Sequence, residues 1–289
     1  MVNHEVKPLA AGLYFVATPI GTARDITLRA LDILASADVI AAEDTRSMKR
    51  LLEIHGVPLG TRPVIAYHDH NGDKVRPRLM AYLAEGKSVA YASEAGTPLI
   101  ADPGYDLGKF ARQEGVLVTA APGPSAVIDA MTIAGLPTDR FMFAGFLPNA
   151  KNARRNAMAE LGDIPATLVF YESPKRVAAM LQDAAEILGE AREAAVCREL
   201  TKKFEECVNG TLGSLAMEFA ERSVKGEIVV LITRRAEGAN EEFDTEAELR
   251  KALESMSVRD ASDVVSKASG QPKRKIYQLA LALDRERKG

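Results

Sequence analysis

The sequence predicts an α/β protein with two α/β domains and a small helical module at its C-terminus. Three features of the 289-residue chain lead to this prediction. Apolar strand-like runs alternate with helical runs through the first half, the rhythm changes after residues 134–140, and the charge changes sign near the end. Such alternation is typical of a mostly parallel sheet with helices on both faces. We therefore expect domains at 12–137, 138–236 and 244–289.

The first half contains five strand-like runs separated by helical runs. The strands are predicted at GLYFVATP, DVIAAED, PVIAYHDH, KSVAYASE and GVLVTAAPG, and the helices at 27–37, 46–55, 72–85 and 105–114. Each strand leads into a polar or glycine- and proline-rich segment, and these are TPIGT, EDTR, HDHN, SEAGTPLIADPG and APGPSA. Open α/β sheets bind ligands in the crevice beyond the carboxyl ends of their strands. The sequence therefore predicts a ligand site along this edge.

Residues 138–236 predict a second α/β domain with a mixed sheet. Its strands are expected at FMFAGFLP, ATLVFYES, AAVCREL, FEECVNGT and EIVVLITRR, and its helices at 153–161, 175–188 and 212–222. The dipeptide Asn209-Gly210 predicts a tight turn. Because the linker Gly135-Leu136-Pro137 is short, the two domains are expected to lie close together and to enclose a cleft.

The tail from residue 244 is predicted to be helical throughout. Helices at 259–268 and 273–284 are joined by SGQP, and Pro272 suits the first turn of the second helix. This pattern is typical of a helix-turn-helix. Residues 237–254 contain seven acidic residues and residues 271–289 contain six basic ones, which indicates a separate module with a basic end. For the basic segment alone, a solvated helix face is an equally good interpretation.

Composition narrows the classes of protein to consider. With 47% hydrophobic and 27% charged residues the chain can form folded cores. No apolar run approaches the ~20 residues that span a bilayer, and the N-terminal MVNHEVKPLAAG lacks the core of a signal peptide. We therefore expect a cytoplasmic protein without a membrane partner. The net charge of −3 does not itself indicate nucleic-acid binding. Cys197 and Cys207 are expected to be small strand residues rather than metal ligands.

The segment SEAGTPLIADPG is the strongest candidate for a binding loop. Gly96 and Gly104 permit backbone angles that other residues resist, and Pro98 and Pro103 fix the path of the chain. A loop that is ordered in advance loses less entropy on binding. Asp102 fits a ligand contact and the N-cap of the following helix equally well.

Four other segments contain residues that a functional site could use. Ser125 in APGPSA opens a helix, where it either binds an anion or caps the helix. TPIGT lacks the dinucleotide and P-loop fingerprints, which excludes both kinds of site. His68 and His70 are predicted on one face of a strand without further ligands, so no metal is expected. CRELTKKFEE predicts a charged strand edge or a cationic lip on the cleft.

The order of eight segments resembles that of a known family. The segments are ATPIGTARDITLRALDIL, AEDTR, YHDHN, SEAGTPLIADPGYDL, APGPSA, GLPTDRFMFAGFLP, VFYESPKRV and CRELTKKFEE. Together they are similar to the tetrapyrrole-methylase superfamily and, within it, to the small-subunit ribosomal RNA 2′-O-methyltransferases. The resemblance extends over residues 12–289. It leads us to expect an aspartate where this chain has Glu94, whose longer side chain moves the carboxylate.

This resemblance implies two α/β domains of the tetrapyrrole-methylase type that enclose a cleft for S-adenosylmethionine, and a homodimer. By motif position, the residues that bind the cofactor would be Pro19, Gly21, Ser93, Glu94, Gly96, Thr97, Asp102, Pro122, Gly123, Ser125 and Tyr171. The implied substrate is a cytidine ribose 2′-hydroxyl in small-subunit (16S) ribosomal RNA, either as free RNA or in the assembled subunit. The basic residues expected to contact this RNA are Arg154, Arg155, Lys273, Arg274 and Lys275.

The implied reaction is an in-line displacement in which the hydroxyl oxygen attacks a sulfonium methyl group. The enzyme then acts mainly by aligning the reactants, and a general base adds ~10²–10⁴-fold. The candidates for this base are Lys202, Lys203, Glu199 and Glu43. A lysine would need its pKa lowered by burial or by neighbouring charge.

Two other functions are compatible with the sequence. A methyltransferase for a porphyrin or corrin precursor would use the same scaffold, but it would not need the basic residues of the tail. A non-catalytic RNA-binding protein would need those residues but not a rigid crevice. Calorimetry with S-adenosylmethionine distinguishes an enzyme from a binding protein.

Overall fold

The structure is a computed structural model that describes residues 4–100, 104–235, 245–269 and 271–288. Its chain contacts separate two compact units, Met1–Arg234 and Arg235–Gly289. The first unit contains two five-stranded sheets with their helices, and the second is helical. This architecture confirms the predicted fold class.

The first sheet is entirely parallel, as the alternation of strands and helices predicted. Its strands are β1 (Gly12–Val16), β2 (Val39–Ala42), β3 (Val64–Ala66), β4 (Ser88–Ala92) and β5 (Val118–Ala121), in the spatial order β3-β2-β4-β1-β5. Its helices are α1 (Leu28–Ser36), α2 (Thr45–Ile54), α3 (Gly72–Ala84), α4 (Tyr105–Gln113) and α5 (Ala126–Ile133). Successive strand residues point to opposite faces, so Leu13 and Phe15 enter one apolar core while Tyr14 and Val16 enter another.

Two side chains cap the helices that follow β1 and β2. Thr27 caps α1 by accepting a hydrogen bond from the backbone N–H of Ala30, at 3.1 Å. Asp44 caps α2 in the same way, accepting from the backbone N–H of Arg46 at 2.7 Å. These caps satisfy N–H groups that a helix leaves unpaired. The connection between β2 and α2 is short and places Glu43 at the sheet edge.

The second sheet is mixed, again as predicted. Its strands are β6 (Phe141–Phe146), β7 (Thr167–Glu172), β8 (Glu193–Arg198), β9 (Glu206–Thr211) and β10 (Ile228–Ile232), in the order β6-β7-β10-β8-β9. Only the β6–β7 pairing is parallel. The helices α6 (Lys151–Gly162), α7 (Val177–Leu188) and α8 (Leu212–Glu221) pack with this sheet around Phe170, Met180 and Leu181, which are fully buried.

The tight turn predicted at Asn209-Gly210 is wrong. Both residues lie inside β9, where Asn209 is opposite Ala195 and Gly210 is opposite Ala194. The Asn209 side chain donates a hydrogen bond to the carbonyl of Ala134. A Cβ on Gly210 would lie 2.6 Å from Ser214 Oγ, so this glycine allows the start of α8 to approach the strand. Tertiary contacts therefore outweigh the preference of Asn-Gly for a tight turn at this position.

The described part of the C-terminal unit contains three helices, α9 (Thr245–Leu253), α10 (Val258–Ser269) and α11 (Lys273–Lys288). The sequence predicted α10 and α11 as helices but did not separate α9 from the rest of the helical tail. All three helices contribute to one small core, which includes Leu249, Val265 and Ile276. Among the helices that the structure describes, none has the length and apolar character needed to cross a membrane.

Candidate active site

A cleft of about 630 Å³ runs along the carboxyl ends of the first sheet. Its first wall consists of residues that follow β1, β2, β4 and β5, and its second wall belongs to the second sheet and the segments that flank it. The first wall includes Pro19, Ile20, Gly21, Glu43, Glu94, Gly96, Thr97 and Ser125, and the second includes Phe146, Tyr171, Glu172, Leu200 and Glu227. The cleft therefore lies where the polar strand ends predicted a ligand site.

The loops after β1 and β4 are fastened to each other across the base of the cleft. The backbone N–H of Thr18 donates to the carbonyl of Gly96 at 3.0 Å, and the N–H of Gly96 donates to the carbonyl of Thr18 at the same distance. The buried hydroxyl of Ser93 donates to the Gly96 carbonyl at 2.8 Å. Gly96 has a φ of +83°, which a residue with a side chain rarely adopts. Ser93 thus stabilises the loop, and its hydroxyl is engaged within the loop.

The loop after β5 is attached to the same framework. The hydroxyl of Thr97 donates to the carbonyl of Pro124 at 2.8 Å. Ser125 begins α5 without forming a side-chain capping bond, and it lines the cleft, which favours a ligand contact over a cap. Pro122 and Gly123 lie outside the cleft wall as far as the structure describes it, and a Cβ on Gly123 would come within 2.8 Å of Ala17 Cβ.

The alternatives for Asp102 stay open. This residue lies outside the described residues, so its side chain is neither placed in the cleft nor assigned to a cap. The N-cap position of α4 is Gly104, with a φ of +125° and no side-chain capping bond. Leu99, in the same loop, has a φ of +73° although it is not a glycine. Strained backbone of this kind is concentrated at ligand sites.

The second wall of the cleft carries an aromatic cluster. Tyr171 packs edge to face against Phe143 and Phe146, with ring centroids 4.8 and 5.7 Å apart. Burial raises the pKa of Tyr171, so its phenol stays protonated and can donate a hydrogen bond. Phe146 is 57% exposed, which is unusual for a phenylalanine, and it lines the cleft. Sequence reasoning identified Tyr171 but missed Phe146, although its position at the end of a predicted strand was a usable signal.

The lysine candidates for the general base are placed unfavourably. Lys202 Nζ lies 3.0 Å from Glu199 Oε1 and 2.7 Å from Glu227 Oε2. Burial lowers the pKa of Lys202, but the two carboxylates outweigh burial and raise it above its ordinary value. Lys203 is exposed, with its Nζ 5.4 Å from the centroid of the Phe204 ring. A general base must be able to lose its proton, and the surroundings of Lys202 oppose this.

The two glutamate candidates, Glu199 and Glu43, differ in how strongly their carboxylates are already engaged. Burial raises the pKa of Glu199, but Lys202 and the backbone N–H of Glu227 outweigh it and lower this pKa below the ordinary value. The Glu199 carboxylate is thus engaged in an ion pair. Glu43 lines the cleft, and its Oε2 accepts one hydrogen bond from the backbone N–H of Glu94 at 3.2 Å.

Gly21 has a role that its motif did not predict. A Cβ on Gly21 would lie 2.5 Å from Thr201 Oγ1 and 2.6 Å from Lys202 Cγ. Next to it, the backbone N–H of Thr22 donates to Thr201 Oγ1 at 3.1 Å. Gly21 therefore lets the segment between β8 and β9 approach the loop after β1, besides lining the cleft.

His68 and His70 do not lie on a strand, contrary to the prediction. β3 ends at Ala66, and both histidines belong to a turn that Asn71 closes by accepting from the N–H of His68 at 2.9 Å and donating to the carbonyl of Ala66 at 3.0 Å. Their rings are 6.0 Å apart. No group of three or more His, Cys, Asp or Glu side chains within the described ranges is arranged to hold a metal ion.

Arg154 and Arg155, which the sequence predicted to contact RNA, are both held in ion pairs with acidic side chains. Arg154 is 6% exposed, and its Nε donates to Asp183 Oδ2 at 2.8 Å. Arg155 donates to Asp183 Oδ1 at 3.1 Å and also pairs with Glu186. Both arginines join α6 to α7 because Asp183, itself buried, requires positive partners.

The basic residues of the C-terminal unit are placed differently. Lys273, Arg274 and Lys275 form the first turn of α11, and all three are exposed. Lys273 pairs with Asp263.

Cys197 and Cys207 lie opposite each other on β8 and β9 as free thiols, and burial raises the pKa of the Cys197 thiol.

Comparison with protein families identifies the scaffold. Residues 12–216 match the Tetrapyrrole (Corrin/Porphyrin) Methylases. The chain belongs to the tetrapyrrole methylase family. Residues 239–284 match a second model, the RsmI C-terminal HTH domain. These matches confirm the resemblance that the eight sequence segments indicated.

Tetrapyrrole methylase relatives match nearly the whole chain. A protein of Mesorhizobium japonicum named Ribosomal RNA small subunit methyltransferase I is 45% identical over 278 residues, which cover 96% of this chain and 94% of the relative. A protein of the same name from Xylella fastidiosa is 42% identical over 269 residues, covering 92% and 97%. A solved uroporphyrin-III C-methyl transferase from Thermus thermophilus, complexed with S-adenyl homocysteine, has a TM-score of 0.53 at 19% identity and covers 76% of this chain and 96% of that chain. The structural likeness supports the fold.

Proposed function

We propose that this protein transfers a methyl group from S-adenosylmethionine to the 2′-hydroxyl of a cytidine ribose in small-subunit ribosomal RNA. One observation carries the proposal: a rigid cleft of the tetrapyrrole methylase scaffold occurs in a chain that matches relatives named Ribosomal RNA small subunit methyltransferase I along nearly their full length. Those relatives and the match to an RsmI C-terminal domain favour an RNA substrate over a porphyrin or corrin precursor.

The residues of the cleft fit S-adenosylmethionine. Its volume of about 630 Å³ lies within the usual range for pockets that hold small ligands. The cleft combines apolar surface, from Ile20 and Tyr171, with the carboxylates of Glu43 and Glu94 and the hydroxyl of Ser125. Carboxylates and hydroxyls accept hydrogen bonds from the ribose and ammonium groups of such a cofactor. When bound there, S-adenosylmethionine supplies an activated methyl group.

The first wall holds the cofactor without having to become ordered on binding. The reciprocal bonds between Thr18 and Gly96, and the bond from Thr97 to Pro124, fix three loops before a ligand arrives. This lowers the entropic cost of binding. Of the residues expected from the resemblance, Pro19, Gly21, Glu94, Gly96, Thr97, Ser125 and Tyr171 line the cleft, and these are the proposed cofactor contacts. Ser93 and Gly123 act through the shape of the loops.

The remaining parts of the proposal concern partners. The exposed bases at the start of α11 are proposed to contact phosphates of the RNA, where the positive end of the helix dipole adds to the attraction. We further propose that the protein is a homodimer. It is proposed to act in the cytoplasm, since ribosomal RNA is the substrate. The form that is methylated is either the free RNA or the assembled subunit.

The direct test is methyl transfer with purified protein. Labelled S-adenosylmethionine is incubated with small-subunit RNA or small subunits, and the label is expected at one cytidine in a form that resists alkali, because a 2′-O-methyl group blocks cleavage of the neighbouring phosphodiester. Label on a base, or on a porphyrin or corrin precursor offered in parallel, would contradict the proposal.

A variant tests the cleft itself. Ser125→Ala removes a hydroxyl that caps nothing, so we expect cofactor affinity to fall by about 0.5–1.5 kcal/mol without a change in melting temperature. Ser255→Ala, at an exposed position of the C-terminal unit, is the matched control and should bind normally. Calorimetry with S-adenosylmethionine measures both. Unchanged affinity in Ser125→Ala would remove this residue from the site.

A further inference from the structure

A second cavity, of about 490 Å³, adjoins the cleft at the ends of β2 and β3. Glu43 and Glu94 line both spaces, so a ligand in the second cavity would lie next to a ligand in the cleft. The far side of this cavity is formed by the start of α2, including Arg46, and by the turn that carries His68 and His70. Its volume is in the range of pockets that hold small ligands.

A transfer reaction needs an acceptor site beside the donor site, because the reacting atoms must come within about 3–3.5 Å of each other. The second cavity meets this requirement through its shared carboxylates. Its chemistry also suits a nucleotide. Bases stack on the rings of aromatic and histidine side chains. The Arg46 guanidinium borders the cavity, is 91% exposed and pairs with Asp44 at 3.1 Å, and it can also meet a phosphate.

The same cavity contains the best-placed proton acceptor. Lys202 and Glu199 neutralise each other, and Lys203 belongs to neither wall as far as the structure describes them. Glu43 already accepts a hydrogen bond from Glu94. The His68 ring, by contrast, has no hydrogen-bond partner among the described residues, and Asn71 fixes its backbone. An imidazole changes protonation near neutral pH, which makes it an efficient general base.

We propose that this second cavity receives the nucleotide that carries the acceptor hydroxyl, and that His68 accepts the hydroxyl proton. The ribose oxygen forms its bond to the methyl carbon while the carbon–sulfur bond breaks, and that electron pair stays on sulfur. The proton passes to the imidazole, which returns it to water. The inference rests on the proposed function and adds to it an acceptor site and a catalytic residue.

Several charged groups face His68 and bear on the pH dependence. Glu43, Asp44 and Arg46 come from the segment after β2, Asp69 and His70 from the same turn, and Glu94 from the loop after β4. The hydrogen bond and charge between Asp44 and Arg46 lower the pKa of Asp44 and raise the pKa of Arg46, so both stay charged near neutral pH. A change in rate between about pH 5 and 8 therefore reports an imidazole.

The test uses single-turnover methyl transfer to RNA between about pH 5 and 9, with saturating cofactor. For the wild type we expect the rate to rise as an imidazole loses its proton and then to level off. His68→Gln should lower the rate by about 10²–10⁴-fold and abolish the pH dependence. Binding of S-adenosylhomocysteine, measured by calorimetry, should stay within about twofold, because His68 does not line the cofactor cleft.

Two further variants complete the set. His55→Gln is the matched control, since His55 bonds to the carbonyl of Ala23 and lies outside the cavity, and it should keep the wild-type rate. His70→Gln, in the same turn, should keep the pH dependence even if RNA binds more weakly. The assignment is overturned if His68→Gln transfers methyl within about threefold of the wild type, or if His70→Gln is the variant that loses the pH dependence.

A binding experiment separates this inference from the proposed function. The chain has four histidines, so their imidazole signals are resolvable by nuclear magnetic resonance. Cytidine 3′-monophosphate added in the presence of S-adenosylhomocysteine should shift the His68 signal and leave that of His55 unchanged. No shift at His68 would refute the acceptor cavity. Absence of methyl transfer to any RNA by the wild type would instead refute the proposed function.

Discussion

The basic residues of α6 and those of α11 look alike in the sequence and differ completely in the structure. Arg154 and Arg155 are held by Asp183, which is 2% exposed, whereas Lys273, Arg274 and Lys275 open a helix on the surface of the C-terminal unit. Positive charge therefore partners a buried carboxylate in one region, whereas in the other it is exposed, with Lys273 also paired with Asp263. The difference depends on what lies opposite each side chain, which a run of basic residues does not reveal.

The largest effect is expected when the carboxylate beneath the arginine pair is removed. Asp183→Ala leaves the guanidinium of Arg154 buried without an opposite charge, so the free energy of unfolding should fall by about 3–5 kcal/mol. Asp139→Ala is the control, because its ion pair with Arg234 is exposed and should contribute little to stability. Urea unfolding measures both. Equal losses in the two variants would contradict the distinction between buried and exposed charge.

A smaller effect, on RNA affinity instead of stability, is expected at α11. Replacing Lys273, Arg274 and Lys275 with alanine should reduce the slope of log affinity against log salt by up to ~0.9 for each phosphate that the protein no longer neutralises. The melting temperature should change little, since these side chains are exposed. Arg155→Gln is the matched control in the other region and should leave the slope unaltered. A reduced slope in Arg155→Gln, or an unreduced slope in the triple variant, would contradict the proposed difference between the two regions.

The smallest effect is a pH dependence at the edge of the arginine pair. The hydrogen bond and charge of Arg155 hold the pKa of Glu186 below its ordinary value. A carboxyl group with a lowered pKa in the folded state stabilises the fold above its unfolded pKa, and this contribution is lost as the pH falls through the folded value. The melting temperature of Glu186→Gln should thus be lower than that of the wild type at about pH 7, and the difference should shrink on acidification.

The control for this pH dependence lies on the same helix as the arginines. Glu160 is exposed and makes no ion pair with any described residue, so Glu160→Gln should track the wild type at every pH. A difference between Glu186→Gln and the wild type that stays constant from about pH 7 to about pH 3 would show that Arg155 does not act through the ionised carboxylate.

The position of the cleft could be predicted from the sequence because it depends on short segments of the chain. The apolar runs that became β1 to β5 end in polar or glycine- and proline-rich segments, and parallel strands bring such ends to one edge. Gly96 and Ser125 were found in this way, and both line the cleft. The Asn209-Gly210 signal failed because contacts with Ala134 and Ser214 outweighed a local turn preference.

By itself, the sequence determined the fold class, the order of the elements and the edge of the sheet that forms the cleft. These follow from periodicity and from backbone preferences that act within a few residues. Only the tertiary structure decided which charged groups face each other, such as Lys202 with Glu227 and Arg154 with Asp183, which lie 25 and 29 residues apart in the chain. Packing brings together charged residues that are far apart in the sequence, because burying an ion is costly unless an opposite charge lies beside it.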